Sequence, residues 1–409
     1  MLLAEEFPPD NRVEKEAASL IEHGFQVTIA CQTLHDRPAY EEINGIRIHR
    51  LRLSRFMYRL SAACLVVPVF FSLWRSFVAE IMKEEQFDLL HVHDLPLASV
   101  GYFLKRKYGL MLVCDQHEFY SNWIVHTAHY NTPVGKIIKG LSPWERYERK
   151  YLTKADLVIT VEEPLRSVYI ERVGVHPDQI VCLPNTPSGK VFRTGQIDAG
   201  LVGRFKDRFV LFYAGGMDIL RGIDVAIRAL PLIRKEIPEV LLLLCGNIRK
   251  PYDPLALAAK LGVAELVRFE GWSPVEKLPS YIAASDLCFF TPPANRDEIH
   301  RTIATKIYQY LQLGKPVIVG QAKMMKEFVE EHQTGYVIHE DSAEEFAQAV
   351  IRYHQNGEAE SERIRKNCFA IRDRYIWEDR FAQFVGKYGI RRPEHGNGRP
   401  EHGNGRPEK

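Results

Sequence analysis

A short glycine-containing stretch between a strand-like run and a helix-like run is the first feature of the sequence that could bind a ligand. In RFVLFYAGGMDILRGIDVAIRAL the apolar run ends at Gly215 and Gly216. Arg221 and Gly222 then precede the helical pattern. Glycines let the backbone approach a diphosphate closely, the first N–H groups of a helix favour an anion, and Arg221 would add charged donors. A tight structural turn with an exposed arginine explains the same residues, so both interpretations stay open at this point.

A second cluster of polar residues follows a later apolar run. It covers residues 291–302 and the start of the next predicted helix. His300, Arg301 and Lys306 concentrate basic groups there. Such groups suit a negatively charged leaving group, although a solvated loop fits equally well. Trp272, at the end of another strand-like run, could border a nucleobase or pack on a cleft wall.

Histidines and acids end two apolar runs in the first half of the chain. His91, His93 and Asp94 close one run, and His117 and Glu118 follow the next. His117 could transfer a proton, donate a hydrogen bond or serve a structural role. Strand alternation places His91 and His93 on one face, which suggests a metal site with Asp94. Because nothing else in the sequence completes a coordination shell, we expect no metal.

The elements that would position these residues alternate between apolar strands and amphipathic helices. Helical patterns include Val13–His23, Ile223–Glu236 and Ala343–Tyr353. The strand-like runs are Gln26–Cys31, Asp88–His93, Met111–Cys114, Ala155–Val161, Ile180–Leu183, Phe209–Tyr213, Val240–Cys245, Val267–Phe269, Asp286–Phe290, Pro316–Val319 and Gly335–His339. This alternation predicts parallel sheets covered on both faces, which bind ligands at the carboxyl ends of their strands.

The pattern restarts after a loop rich in Pro, Gly, Ser and Thr at residues 184–200. We therefore predict an α/β protein with two doubly wound, Rossmann-like domains, residues 1–190 and 205–375, that face a cleft. One further helix-like run covers residues 376–390. Residues 391–409 repeat PEHGNGR without an apolar residue and are predicted to form a disordered tail.

Composition limits the function classes. The 409 residues are 46% hydrophobic and 26% charged, and the net charge of +2 argues against a nucleic-acid binder that relies on bulk charge. Seven widely spaced cysteines without zinc-site spacing fit free thiols in a reducing cytoplasm. Met1–Ala4 reads as the end of a first strand and not as a signal peptide, so a cytoplasmic location is expected.

The apolar segment Leu60–Val78 is interrupted by Pro68 and Arg75, whereas a membrane-spanning helix needs about 20 apolar residues. It could be a core-facing helix. It could also contact an anionic membrane surface or a lipid-linked substrate, because basic residues lie just upstream. These residues are Arg47, Arg50, Arg52, Arg55 and Arg59.

Over residues 1–390 the whole pattern resembles the family-4 (group 1) retaining glycosyltransferases of the GT-B fold. The motifs that carry the resemblance are AEEFPPDNRVEKEAASLIEHGFQVTIA, FDLLHVHD, VCDQHEFY, WERYERKYLTKADLVITVEEPL with IVCLPNTP, YAGGMDILRGIDVAIRAL, VRFEGW, and KIYQYLQLGKPVIVG with TGYVIHEDSAEEFAQAV. The resemblance implies a metal-independent hexosyltransferase that needs no cofactor. It would move a sugar from a nucleotide-sugar donor on the second domain to a glycan or lipid-linked acceptor on the first, in cell-envelope or exopolysaccharide synthesis.

The resemblance also implies roles for individual residues. The diphosphate would lie over the Gly215–Gly222 loop, His117 near the transferred sugar, and the helix at 376–390 would cross back onto the first domain. The predicted catalytic residues are His117 and Glu298, and His93, Asp94 and Glu118 are predicted on the acceptor side. The predicted donor-binding residues are Gly215, Gly216, Arg221, Trp272, His300, Arg301, Lys306 and Gln309.

One departure from the family pattern concerns two glutamates that seven residues separate. The second falls on Gln309 and the first on Arg301, with Glu298 the nearest carboxylate. A glutamine keeps one carbonyl acceptor for a ribose hydroxyl but loses the charge, so we expect donor binding weaker on the order of tenfold. Either Glu298 fills the role of the first acid or Arg301 holds the phosphate. A nucleotide-sugar epimerase and a catalytically impaired nucleotide-sugar-binding protein are the alternatives.

Overall fold

Eight strands of the first half form one sheet. The structure is a computed structural model that describes residues 1–124, 141–339 and 341–388. The strands are β1 Leu2–Leu3, β2 Val27–Thr33, β3 Tyr40–Ile43, β4 Ile46–Arg52, β5 Leu89–His93, β6 Met111–Gln116, β7 Leu157–Thr160 and β8 Ile180–Cys182. Their order is β3-β4-β2-β1-β5-β6-β7-β8. β3 runs antiparallel to β4, and the other neighbouring pairs are parallel.

Six strands of the second half form a parallel sheet of their own. They are β9 Phe209–Ala214, β10 Val240–Cys245, β11 Val267–Gly271, β12 Leu287–Phe290, β13 Val317–Val319 and β14 Gly335–Val337, in the order β11-β10-β9-β12-β13-β14. β9, β10 and β12 are buried throughout, because helices cover both faces. The strand order reverses between β9 and β12, and in the first sheet between β1 and β5, which opens a crevice at each carboxyl edge.

Helices connect the strands. The first domain contains Asn11–Glu22, Arg55–Ser61, Val69–Glu84, Ala98–Tyr108, Tyr120–Trp123, Leu141–Leu152 and Glu163–Val168. Gly189–Phe192 and Ala199–Gly203 follow, and the second domain contains Ile223–Glu236, Pro254–Lys260, Leu278–Ala283, Thr305–Gln312, Lys323–His332 and Ala343–Ile371, which is interrupted at Gly357. Short 3-10 turns lie between several of these. The predicted α/β class with two doubly wound domains is confirmed.

A β-hairpin is the main element that the sequence interpretation missed. Asn44 and Gly45, both with positive φ (53° and 77°), join β3 to β4. An Asn-Gly pair between alternating residues is a strong hairpin signal, so the information was present. The alternation in β4 also corrects the predicted basic cluster. Arg50 points inward, is only 3% exposed and pairs with Glu41, while Arg47 pairs with Glu85 at 2.9 Å.

The segment Leu60–Val78 contributes a core-facing helix, the first of its two predicted alternatives. The helix Val69–Glu84 buries Phe70, Phe71, Trp74 and Val78. The preceding helix Arg55–Ser61, in contrast, buries no residue. None of the helices in the described part of the chain combines the length and the apolar character that a membrane crossing requires.

The last described helix, Trp377–Phe384, packs on the first domain. Trp377, Phe381 and Phe384 join its hydrophobic core, and the Trp377 indole N–H donates to the Ser19 hydroxyl at 2.8 Å. The chain thus crosses from the second sheet back to the first. The predicted tail, residues 391–409, lies outside the described residues.

Candidate active site

The loop after β9 is shaped by its glycines. Gly215 has φ 137°, and a Cβ added there would lie 3.4 Å from the Lys306 ammonium. A Cβ on Gly216 would lie 3.3 Å from the Arg249 guanidinium. Gly222, at φ 72°, has no room for a side chain, because a Cβ would lie 1.8 Å from the Thr291 carbonyl oxygen. The Gly215 N–H already donates to the Cys245 carbonyl at 2.9 Å, so the loop brings the Gly216 N–H and two cations together at the carboxyl end of β9.

Three cationic side chains surround this loop. Arg221 and Arg249 each lie 3.5 Å from the Asp218 carboxylate. The Lys306 ammonium lies 4.0 Å from the ring centre of Phe290 and 4.8 Å from that of Tyr213. Burial and the neighbouring Arg221 lower the pKa of Lys306 to about 7. One carboxylate beside three basic groups leaves a surplus of positive potential when Lys306 is protonated.

A cavity of about 960 Å³ lies between the two domains in front of these cations. Its second-domain wall includes the predicted donor residues Gly215, Gly216, Arg221, Trp272, Lys306 and Gln309. Trp272 is 60% exposed, so its ring is accessible to a planar ligand. The Gln309 side chain makes no hydrogen bond to another described residue. The volume suits a ligand the size of a nucleotide sugar.

Three predicted residues of the 291–302 segment lie apart from this cavity. The two ring nitrogens of His300 are engaged with backbone, Nε2 with the Ala294 carbonyl at 2.9 Å and Nδ1 with the Lys323 N–H at 3.1 Å. His300 therefore has no ring nitrogen left for a donor. Arg301 pairs with Asp297 at 3.5 Å, and Glu298 pairs with Arg296 at 3.1 Å.

On the first domain, His117 follows β6 and lies between two carboxylates. Its Nε2 is 3.1 Å from the buried Asp115 and its Nδ1 is 3.4 Å from Asp94. Burial alone would lower the pKa of His117, but these carboxylates raise it to about 9. Burial alone would raise the pKa of Asp115. Arg12 counteracts this effect, because it donates to both carboxylate oxygens at 2.9 and 3.0 Å and helps to hold the pKa of Asp115 well below its usual range. At neutral pH His117 is consequently an imidazolium.

The predicted acceptor residue His93 is fully buried, so it cannot touch an acceptor. It belongs instead to a buried cluster with His91, Glu16 and Asp115, whose possible ligand atoms lie within 4.8 Å of one another. The sequence interpretation placed Asp94 there and missed Glu16 and Asp115. Burial raises the pKa of Glu16 and lowers the pKa of His91, which favours their neutral forms. Arg12 contacts both carboxylates, so a metal ion would have to bind beside a guanidinium.

The other acceptor-side residues, Asp94 and Glu118, follow β5 and β6, and neither is among the residues that line the cavity. Asp94 has φ 59° and is about one-third exposed. Burial, with added repulsion from Asp94, raises the pKa of Glu118 to about 7. A smaller repulsion from Glu298 of the second domain raises it further, so these two acids from different domains are near enough to interact. A carboxyl group that titrates near neutral pH can exchange a proton with a substrate.

Family comparisons agree with this geometry. Residues 201–369 match the profile described as glycosyl transferases group 1, and residues 9–186 match that of the glycosyl transferase 4-like domain. The chain is a group 1 glycosyltransferase of the GT-B fold. An uncharacterized glycosyltransferase of Methanocaldococcus jannaschii is 20% identical over 91% of this chain and 92% of its own length. A D-inositol 3-phosphate glycosyltransferase of Thermomonospora curvata is 25% identical over 65% of this chain, which spans 63% of that relative.

Solved structures show the same fold for this glycosyltransferase. Sucrose-phosphate synthase from Thermosynechococcus elongatus superimposes with a TM-score of 0.72 at 18% identity, over 95% of this chain and 97% of that one. HepE from Anabaena, in complex with UDP, superimposes with a TM-score of 0.68 at 16% identity, over 95% of this chain and 98% of that one.

Sequence reasoning missed two parts of the glycosyltransferase's cleft. Arg249 follows β10, which is the neighbour of β9 in the sheet. Because ligands of parallel sheets lie at the carboxyl ends of adjacent strands, this position could have identified Arg249 from the sequence. The pairing of Arg12 with Asp115 spans 103 positions and had no local signal.

Proposed function

We propose that this glycosyltransferase transfers a sugar, with retention of anomeric configuration and without a catalytic metal, from a nucleoside-diphosphate sugar to a glycan or lipid-linked acceptor. The observation that carries the proposal is the glycine loop with Arg221, Arg249 and Lys306 at the floor of the interdomain cavity. Structures of HepE in complex with UDP and with UDP-glucose support such a donor, because that protein has the same fold.

The three cations would act mainly on the leaving group. Breaking the sugar–phosphate bond leaves an electron pair and negative charge on the diphosphate, and preorganised positive groups stabilise that charge. In this scheme Trp272 offers a ring face to the base, and the Gln309 carbonyl accepts a hydrogen bond from the ribose.

On the acceptor side, the attacking hydroxyl must lose a proton as its oxygen bonds to the sugar carbon. Glu118, whose pKa is raised to about 7, suits that proton better than His117, which is already protonated at neutral pH. His117 would then serve as a cation whose Nε2–H is held by Asp115 at 3.1 Å and whose Nδ1–H, 3.4 Å from Asp94, is the one that could turn to donate to the substrate. Hydrogen-bond donation was one of the three roles that the sequence left open for His117, beside proton transfer and a structural role.

We further propose that the enzyme works at the inner face of the cell membrane, in cell-envelope or exopolysaccharide assembly. Phe56 and Val66 are 72% and 65% exposed. Arg55 and Arg59, on the same short helix as Phe56, are exposed and form no ion pair among the described residues. Exposed apolar groups beside unpaired basic groups suit an anionic lipid surface.

The experiment is a donor screen followed by a transfer assay. Thermal shift with UDP, GDP, ADP and their sugars identifies the donor, because a ligand stabilises the fold by mass action. Diphosphate release is then measured with an acceptor panel. Arg221→Ala should weaken binding of the diphosphate several-fold, whereas Arg234→Ala, in the same domain but outside the cavity, should not.

The outcomes separate the alternatives. Isomerised donor without an acceptor would establish the epimerase, and binding without release across the panel would establish the impaired binding protein. Unchanged binding in Arg221→Ala would move the diphosphate away from this loop.

A further inference from the structure

The side-chain amine of Lys306 has no direct anionic partner among the described residues. Its side chain is partly buried and extends from the helix Thr305–Gln312 to the aromatic faces of Phe290 and Tyr213. Among the described residues it forms no hydrogen bond and has no carboxylate within 4.0 Å. The charged groups around it are either cationic or acids that lie too far away to pair with the amine. They are Arg221 and Asp218 from the loop after β9, Arg249 from the loop after β10, and, farther along the cavity walls, Glu14, Lys15 and Glu276.

We propose that the diphosphate of the donor enters the cavity together with one proton, which Lys306 takes up. This inference rests on the proposed function, because it assigns a protonation event to the same site. The geometry supports it: the amine packs against two aromatic rings in a cavity that Arg221 and Arg249 also line, and an anionic ligand would supply the direct counter-ion that it lacks.

The direction of the pH effect follows from linkage. In the free protein the pKa of Lys306 is about 7, lowered first by burial and then by Arg221. A bound diphosphate favours the charged amine, so it raises that pKa. Proton uptake is therefore small below pH 7, where the amine is already charged, and approaches one per nucleotide at pH 8 to 9. Across that range affinity should fall by up to about tenfold per pH unit.

A second lysine in the cavity provides a matched control. Lys15, on the opposite wall, has a pKa that burial also lowers to about 7. Its ammonium, however, already donates to Asn185 at 2.7 Å and to the Thr186 carbonyl at 2.6 Å. The ligand is not needed to complete its hydrogen bonds, so Lys15 should not take up the proton.

The test is calorimetric titration of the full-length protein with UDP, GDP or ADP, whichever stabilises it most, at pH 8 in HEPES and in Tris. The two buffers differ in ionisation enthalpy, so the difference in heat counts the protons taken up. Wild type and Lys15→Arg should take up close to one proton. Lys306→Arg, which stays charged, should take up almost none and bind with little pH dependence between pH 7 and 9.

Lys306→Met covers the case in which arginine does not fit the aromatic pocket. It should bind more weakly than wild type at pH 7 and approach wild type as pH rises. Nucleotide binding without proton uptake in the wild type, or uptake that persists in Lys306→Arg and disappears in Lys15→Arg, would overturn the inference while leaving the donor site intact. Absence of binding by all three nucleotides at every pH would overturn the proposed function as well.

Discussion

Gln309 lies in the helix that also carries Lys306, and its side chain lines the cavity beside the glycine loop. Its amide has one acceptor oxygen and no charge, whereas a glutamate has two acceptor oxygens and a full negative charge. A ribose held by this residue would therefore gain from a carboxylate.

Replacing Gln309 with Glu should tighten nucleoside diphosphate binding roughly tenfold, because a charged hydrogen bond is worth about 1.5–3 kcal/mol against about 1 kcal/mol for a neutral one. Calorimetry at pH 7 measures the change. Gln355→Glu is the control, because Gln355 is an exposed residue of the helix Ala343–Ile371 and does not line the cavity. Equal or weaker binding in Gln309→Glu would mean that the ribose lies elsewhere.

Residues whose environment depends on neighbours in sequence were easier to predict than those that depend on the tertiary fold. Arg221 and Gly216 line the cavity because they follow β9 directly. His93 could not be excluded from the acceptor side until the helix Asn11–Glu22 was seen to cover it with Glu16. His300 was predicted to bind the donor, yet the backbone N–H at the start of the helix Lys323–His332 donates to its ring.

Among the elements, the short helix Arg55–Ser61 and the turn that follows it are distinguished by exposure. Ser54 caps the helix by accepting from the Met57 N–H at 3.2 Å, so the helix is locally ordered although it buries no residue. A repulsion from Glu5, which follows β1, contributes after burial to the raised pKa of Tyr58. The exposed surface thus adjoins the carboxyl edge of the first sheet, where an acceptor would enter.

Changing Arg55 and Arg59 to Gln together should weaken binding to vesicles rich in anionic lipid by roughly tenfold or more, since each basic residue contributes about 1 kcal/mol near such a surface. Co-sedimentation measures the bound fraction. The control variant changes Arg234 and Arg268, two exposed arginines of the second domain, and should bind like wild type. If the wild-type protein binds neither anionic nor neutral vesicles, the membrane proposal is wrong.

The element pattern was predictable for a physical reason, since buried parallel strands must be almost wholly apolar. β9 and β10 were therefore found to within one residue. The hydrophobic pattern said less about the β3–β4 hairpin, which lies at the edge of its sheet and carries charged residues such as Glu41 and Glu42.

At the scale of the whole molecule, two sheets present their carboxyl edges to one cavity, and contacts between the domains hold that arrangement. The Ile303 N–H of the second domain donates to Glu162 of the first at 3.3 Å. The helix Trp377–Phe384 adds a second connection, because Trp377 is buried against the first domain. The donor-side cations line this cavity together with first-domain residues such as Phe7 and Lys15, whereas His117 and Glu118 follow β6 and are not among its lining residues.

A crystal structure of the enzyme with bound UDP tests this arrangement most directly. The diphosphate should lie within about 3.2 Å of the backbone N–H of Gly216 and of the side chains of Arg221 and Lys306. A nucleotide seated on the first domain's sheet edge, or a cavity closed by side chains although calorimetry shows that UDP binds, would contradict it.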